Sequence, residues 1–445
     1  MCPREKSCKG GLESLCDNGY EGALCAVCST GYYKQLQICR QCPSKKWMVG
    51  QLSIVGVVLL VIVVILVWTS RRPVGKHQGH HFIDKFFSQL KIVIGLYQVT
   101  YGLLEAFSFV QWPSSLEGIG RYSEILQMNI LQVAPIQCII SGLHVDAFGS
   151  LFAMIAINAV VIMVSVVFYG VRKMVILRRK SLSKEQKKSK ISQTKELVYK
   201  NLFFILYVTY LSTCFKTVSV LPLACRELCR DEKEEFCFKF MKADYSIQCQ
   251  GPKYQQMVIA AYVSTLYVVT LPVAAFILLW RQRRVKLAKE GAESSQDQRP
   301  SMELITGLRF LFENYKARSW YWEMVEMCRK VILTSGLILV GQESRSYIGL
   351  AWVTAGMYGI HFAWNRPIQD AFENRLMALS LAVTVINLGI GAVSRIPAEN
   401  VTSSVDQYMD DVIFNIMVLG ANTVVIGLLV GKKVQSHIMI NYSFE

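Results

Sequence analysis

Charge is what this sequence most conspicuously withholds. Met48 to Trp68 carries none, and as a helix that run would span about 30 Å, the thickness of a bilayer core. With 52% hydrophobic residues and a mean hydropathy of +0.32, the chain is too apolar for a soluble enzyme of its size. Catalytic signatures are missing as well. No Ser/His/Asp arrangement, phosphate-cradling glycine loop or paired-carboxylate pattern stands in the local context such chemistry requires, so an enzyme is not expected. The histidines of GKHQGHH (75–81) sit in a polar, basic loop and read as solvated or lipid-facing, so neither a metal nor a cofactor is expected. A leader is also lacking. The chain opens MCPREKSC and turns apolar only near residue 48, so an outside N-terminus implies a missing leader or direct insertion by the first span. The cysteine pattern begins mid-module, and a fragment of a longer ectodomain is expected.

What is present alternates. Loops bearing cysteine and loops bearing Lys and Arg take turns between apolar runs at 48–68, 88–111, 147–171, 199–222, 256–280, 324–341, 345–364, 372–394 and 411–431. Disulfides form outside the cytosol and positive loops stay inside, which orients the first crossing. About nine transmembrane helices follow, with the N-terminus outside and the C-terminus inside; most of the Lys and Arg between spans then lie inside. The net charge of +16 is accordingly read as a topology signal and a contact for anionic lipid at the cytoplasmic face, not as a nucleic-acid footprint. The fold class is an all-α polytopic membrane protein with a small disulfide-rich, EGF-like N-terminal module. Its parts are an extracellular module over 1–46, a helical domain over 47–431 with a cysteine-bearing outer loop at 223–255, and a short cytoplasmic tail at 432–445. Asn400 opens a glycosylation sequon in the last outer loop; a second, at Asn441, falls inside and should be silent.

The outer cysteines are Cys2, Cys8, Cys16, Cys25, Cys28, Cys39 and Cys42 in the module, with Cys138, Cys225, Cys229, Cys237 and Cys249 in later loops. CAVC and CRQC have zinc-ribbon spacing, but beside an outer membrane face disulfides are preferred. Each group is odd and the sum is even, so one bridge between module and membrane loops is an option, and truncation of the module explains the odd counts equally well. Cys214 and Cys328 fall in or near spans and read as free thiols.

The string CDNGYEGALCAVCSTGYY resembles EGF-like, laminin-type and ephrin-receptor-like cysteine repeats. The strings KIVIGLYQVTYGLLEAFSFVQWP, RFLFENYKARSWYWEMVEMCRKVIL and WNRPIQDAFENRLMALSL resemble a large family of TRP-like multi-pass surface proteins of protists and invertebrates, similar in layout to the fungal TRP-like proteins. The resemblance implies a helical core under a cysteine-rich ectodomain, and cation permeation or its regulation. Ankyrin repeats, a selectivity-filter-like loop and an arginine-rich voltage-sensor helix are absent from the sequence.

Ionisable and amide groups inside spans point to function. Glu105 and Lys216 sit at similar depth in the second and fourth spans and form a candidate pair. Asn158, Asn387 and Asn415 form a candidate polar path; interhelical hydrogen bonding is the plainer role for these amides and for Asn422. Trp320, Trp322, Glu323, Glu326, Arg329 and Lys330 form a candidate inner cluster: Trp320, Tyr321 and Trp322 read as an interfacial aromatic collar, and the cluster either anchors the sixth span or couples a helix at 302–318 to it as a gating lever. Residues 114–146 could lie on the outer surface or dip back into the membrane. The basic stretch 172–198 reads as an inner loop, a solvated topology signal or an anionic-lipid contact tunable by phosphorylation, and 285–300 reads as a flexible polar linker. His361 reads as interfacial.

Three functions remain open at this point: a TRP-like cation channel or regulator with a sensory ectodomain, a surface receptor or adhesion protein, and a lipid transporter or scramblase. The expected location is the plasma membrane, and the expected partners are anionic lipid, an extracellular ligand and other copies of the chain.

Overall fold

The computed structural model describes residues 7–9, 15–22, 25–36, 38–51, 77–108, 112–126, 138, 146–180, 183–229, 237–290, 309–337, 345–393 and 412–428, with a few isolated positions besides. Most of the first apolar run, both sequons and the tail at 432–445 lie outside them, as do the side chains of the 75–81 histidines.

Short strands stapled by sulfur form the N-terminal module, which has too few apolar residues for a core of its own. β1 (Tyr20–Glu21) pairs with β2 (Val27–Cys28), and β3 (Tyr32–Gln35) with β4 (Ile38–Gln41), both antiparallel. Cys16–Cys25 and Cys28–Cys39 bridge the turns, and Cys8 is also disulfide-bonded. Gly19, at φ +89°, lies so close to Tyr32 that a Cβ would sit 2.6 Å from the ring, which reserves the position for glycine.

Helices make up most of the rest: α1 (His77–Ala106), α2 (Ser114–Leu126), α3 (Ala147–Arg178), α4 (Lys184–Val220), α5 (Pro252–Glu290), α6 (Arg309–Phe312), α7 (Trp322–Val331), α8 (Arg345–Asn365), α9 (Ala371–Val393) and α10 (Val412–Leu428). Among the described residues four helices are long and apolar enough to cross a membrane, namely α3, α4, α5 up to Arg281, and α9. α3 and α5 present apolar side chains outward, such as Val164 at 61% and Leu266 at 67% exposed, a surface suited to lipid rather than water.

Three expectations need correction. The sixth apolar run is not one straight span: α7 is ten residues long and gives way at Ile332–Gly336 to a π turn. The stretch 172–198 is mostly helix. α3 runs on to Arg178, and α4 begins at Lys184 behind a capping box in which Ser183 Oγ accepts from Gln186 N and Gln186 Oε1 accepts from Ser183 N. α5 likewise continues to Glu290, into the stretch read as linker.

The outer end of the bundle carries the module. Between α4 and α5, β5 (Cys225–Cys229), β6 (Cys237–Met241) and β7 (Asp244–Gln248) form an antiparallel sheet closed by Cys225–Cys249; Cys237 is disulfide-bonded too. Lys34 Nζ donates to Ala243 O at 2.8 Å, which joins the module to this sheet. Leu36, 5% exposed, is buried with Leu104 of α1 and Leu116 of α2. Cys42 is bonded to Cys138. The module is therefore seated on α1 and α2 by Leu36, tied to the sheet by Lys34 and bridged to the chain beyond α2 by Cys42.

Candidate functional site

The sequence of α7, WEMVEMCRKV, can neutralise its own charge, because Glu326 stands three residues before Arg329 and four before Lys330. The structure makes that neutralisation bidentate. Arg329 Nε donates to Glu326 Oε2 at 2.9 Å and Nη2 to Oε1 at 2.6 Å, with Lys330 Nζ 3.7 Å from Oε1. Glu323, Glu326, Arg329 and Lys330 are all buried, at 0, 2, 6 and 8% exposure. Charges so far from water are tolerable only when paired.

The remaining partners come from elsewhere in the chain. Lys91 of α1 donates to Glu323 Oε2 at 2.6 Å. Tyr207 of α4 donates to Glu323 Oε1, and Tyr315, in the segment before α7, donates to Oε2 at 2.8 Å. Burial, with Glu323 beside it, pushes the Tyr315 phenol well above its ordinary range, so it stays a proton donor. Lys330 Nζ donates to Tyr207 Oη at 3.5 Å, and Arg329 lies over the Tyr358 ring of α8 at 5.1 Å. A second arm begins at Glu373 of α9, whose Oε2 accepts from Ser88 Oγ at 2.7 Å; Ser88 Oγ in turn accepts from Asn314 Nδ2 at 2.7 Å. Half-buried Lys91 and buried Arg329 and Lys330 thus pair with two buried carboxylates, Glu323 and Glu326, and a third, Glu373, stands beside them on Ser88. They line a cavity of about 20 Å³, room for about one water molecule.

Glycine brings the helices this close. A Cβ on Gly95 of α1 would stand 2.6 Å from Lys330 Nζ, and one on Gly102 would collide with the Thr334 side chain. Thr334 lies in the π turn and donates to Lys330 O at 2.8 Å. Lys330 and Thr334, one helical turn apart, thus pack on the glycine face of α1 directly above Lys91. π turns are frequent at functional positions because they re-aim side chains without ending the helix.

The other candidates are placed separately. Asn158 of α3 donates to Thr213 Oγ1 at 3.0 Å and accepts from Thr209 Oγ1 at 2.8 Å, a buried clasp between α3 and α4. Asn415 of α10 accepts from Ser115 N at 2.9 Å at the start of α2. Asn387 is buried on α9, and among the described residues neither amide atom has a hydrogen-bond partner. Asn422 donates to Val418 O of its own helix. Glu105 and Lys216 are both half-buried near the outer ends of α1 and α4, with Lys216 Nζ 5.6 Å from the Phe215 ring. Cys214 and Cys328 are free, the first buried and the second exposed.

The aromatic trio also differs from a collar. Trp322 is 2% exposed, stacked on His361 at 5.2 Å and set edge-on to Phe362. Trp320 stacks on Phe276 of α5, and Tyr321 is the exposed one. Two of the three rings therefore pack between helices. Lys91, Glu373, Ser88, Asn314, Tyr207 and Tyr315 were not singled out from sequence. The first two meet the criterion that selected Glu105, an ionisable group in or beside an apolar run.

A family model described as a domain of unknown function (DUF7630) matches residues 1–42, the disulfide-rich module. The chain is also similar to Cysteine repeat modular protein A of Toxoplasma gondii, at 19% identity over 464 aligned positions covering 88% of the chain. The chain spans 14% of that relative's length. No solved structure matches it. Disulfides of this density belong to an extracellular region and the apolar helices to a bilayer, which marks a membrane or surface protein with a cysteine-rich ectodomain.

Proposed function

We propose that the chain is the membrane-embedded part of a cell-surface receptor, with about nine crossings, the N-terminus outside and the C-terminus inside, at the plasma membrane. The observation that carries this reading is the route of α1. Its outer end is buried with Leu36 of the module, and beyond α2 the chain is bonded to the module through Cys42–Cys138. Its middle carries Ser88 and Lys91 into the charge cluster of α7 and α9. One helix therefore contacts the disulfide-rich module at one end and a buried set of ion pairs at its middle. Such a set is a natural two-position element, because it is neutral when shut and strands buried charge when displaced. No catalytic step belongs to this reading.

A TRP-like cation channel or channel regulator is the second reading, favoured by the cavity among charged residues beside the π turn. The purified full chain in liposomes separates the two. Under the receptor reading, calcium flux and lipid flipping stay at the level of protein-free vesicles. Breaking the bridge with Cys42→Ser and Cys138→Ser then speeds hydrogen exchange across residues 323–330. Sustained ion flux would replace the receptor by the channel, lipid flipping would replace it by a scramblase, and unchanged exchange would remove the coupling.

A further inference from the structure

The hairpin of α3 and α4 ends in a basic turn that the receptor reading does not use. Between Arg178 and Lys190 seven side chains are basic and Glu185 alone is acidic. α3 has 32 residues and is about 48 Å long, well beyond the roughly 30 Å of a bilayer core, so the end of the hairpin projects past the hydrocarbon. The two helix ends are fastened there. Ser183 and Gln186 cap α4, and Lys187 Nζ donates to Leu177 O at 3.0 Å, closing the end of α3. Arg178, Arg179, Lys184 and Lys188 are all exposed around it.

Apolar side chains share this surface. Met174, Val175 and Leu177 are 56, 45 and 51% exposed, between the Arg172–Lys173 pair and Arg178. Exposed apolar groups interleaved with long basic ones suit the boundary where acyl chains meet headgroups. The apolar groups enter the tails, while the basic stems lie along them and carry their charge to phosphate. An acidic protein segment would match the charge but leave the apolar groups in water. We propose that this hairpin turn binds the phosphate headgroups of anionic phospholipids. The proposal rests on the membrane reading above.

The full chain, purified in detergent, is titrated with short-chain phosphatidylinositol bisphosphate, phosphatidylserine and phosphatidylcholine. The first two should bind in that order of strength if the site takes phosphate clusters, or alike if it takes any anionic headgroup. Both should weaken as salt rises, and phosphatidylcholine should bind least. The variant Arg178→Gln, Arg179→Gln, Lys184→Gln, Lys188→Gln should bind anionic lipid roughly tenfold more weakly or worse. A companion variant, Arg178→Lys with Arg179→Lys, should retain binding and guards against misfolding of the first. Equal binding of all three lipids by the wild type overturns the proposal, as does displacement of the inositol lipid by a polyglutamate peptide at equal concentration. A chain that stays monodisperse once detergent is removed overturns the membrane reading itself. One that needs detergent but ignores headgroup charge overturns the lipid site alone.

Discussion

Cys42 and Cys138 are 96 residues apart in sequence and joined by a disulfide, with α1 and α2 lying between them in the chain. The bridge closes a loop that contains the helix carrying Lys91, so it constrains where that helix can stand relative to the module. Closing a loop of about this size is worth roughly 4–5 kcal/mol in chain entropy, and native bridges usually contribute about 2–5 kcal/mol.

Replacing both cysteines by serine should therefore lower unfolding stability by about 2–5 kcal/mol. Cys16–Cys25 and Cys28–Cys39 should persist, while the module becomes open to limited proteolysis. Non-reducing peptide mapping is the direct check, and a map that joins Cys42 to another cysteine of residues 1–41 would sink the assignment.

Midway along α1, Lys91 and Glu323 meet at 2.6 Å with side chains 11% and 1% exposed. Removing one partner strands the other in a low-dielectric site, which typically costs about 3–5 kcal/mol. Lys91→Met should destabilise by that order, and Lys91→Met with Glu323→Leu should recover much of it, since a buried pair replaced by apolar groups is often neutral. Thermal unfolding in detergent measures both. Losses that simply add would show that the two residues do not act as a pair.

How much of this was legible follows from distance along the chain. Glu326, Arg329 and Lys330 sit one helical turn apart, so spacing alone shows that they can neutralise one another. Lys91 and Glu373 reach the same cluster from 232 residues before Glu323 and 285 residues after Ser88, and no periodicity says which helix faces will meet. The bridge from module to membrane loop was legible in outline, because two odd groups of cysteines cannot each close on themselves. A tryptophan at a span's end fits a headgroup as well as a helix interface, and the stacking of Trp322 on His361, 39 residues on, is not legible from spacing. The amides of Asn158 and Asn415 looked alike in sequence, yet one clasps two helices and the other takes a backbone N–H at the start of α2.

Glu105 and Lys216 stand half-buried near the outer ends of α1 and α4, helices that also meet through Gln98 Nε2, which donates to Val208 O at 3.1 Å. If the two charges act on each other, Glu105→Lys alone should lower stability by about 1–3 kcal/mol, and Lys216→Glu added to it should restore most of the loss. A double variant as unstable as the sum of the singles would assign them to separate roles.

Gly95 and Gly102 offer a sharper comparison, because they lie seven residues apart on α1 and both face the chain around α7. A Cβ at Gly95 would meet the far end of the flexible Lys330 side chain, with Nζ at 2.6 Å and Cε at 3.1 Å. One at Gly102 would meet Cβ and Cγ2 of Thr334, which is β-branched, fully buried and pinned through its hydroxyl to Lys330 O. Lysine can swing its ammonium aside, at some expense to the pairing with Glu326, whereas threonine can move only if the π turn moves with it. Gly102→Ala should thus cost about 1–3 kcal/mol and Gly95→Ala less. Thr334→Ala should relieve Gly102→Ala only in part, because its Cβ stays 2.7 Å from the added methyl, and should leave Gly95→Ala unchanged. Unfolding midpoints of the four variants test this ordering, and equal sensitivity at the two glycines would mean that the π turn yields as easily as a lysine side chain.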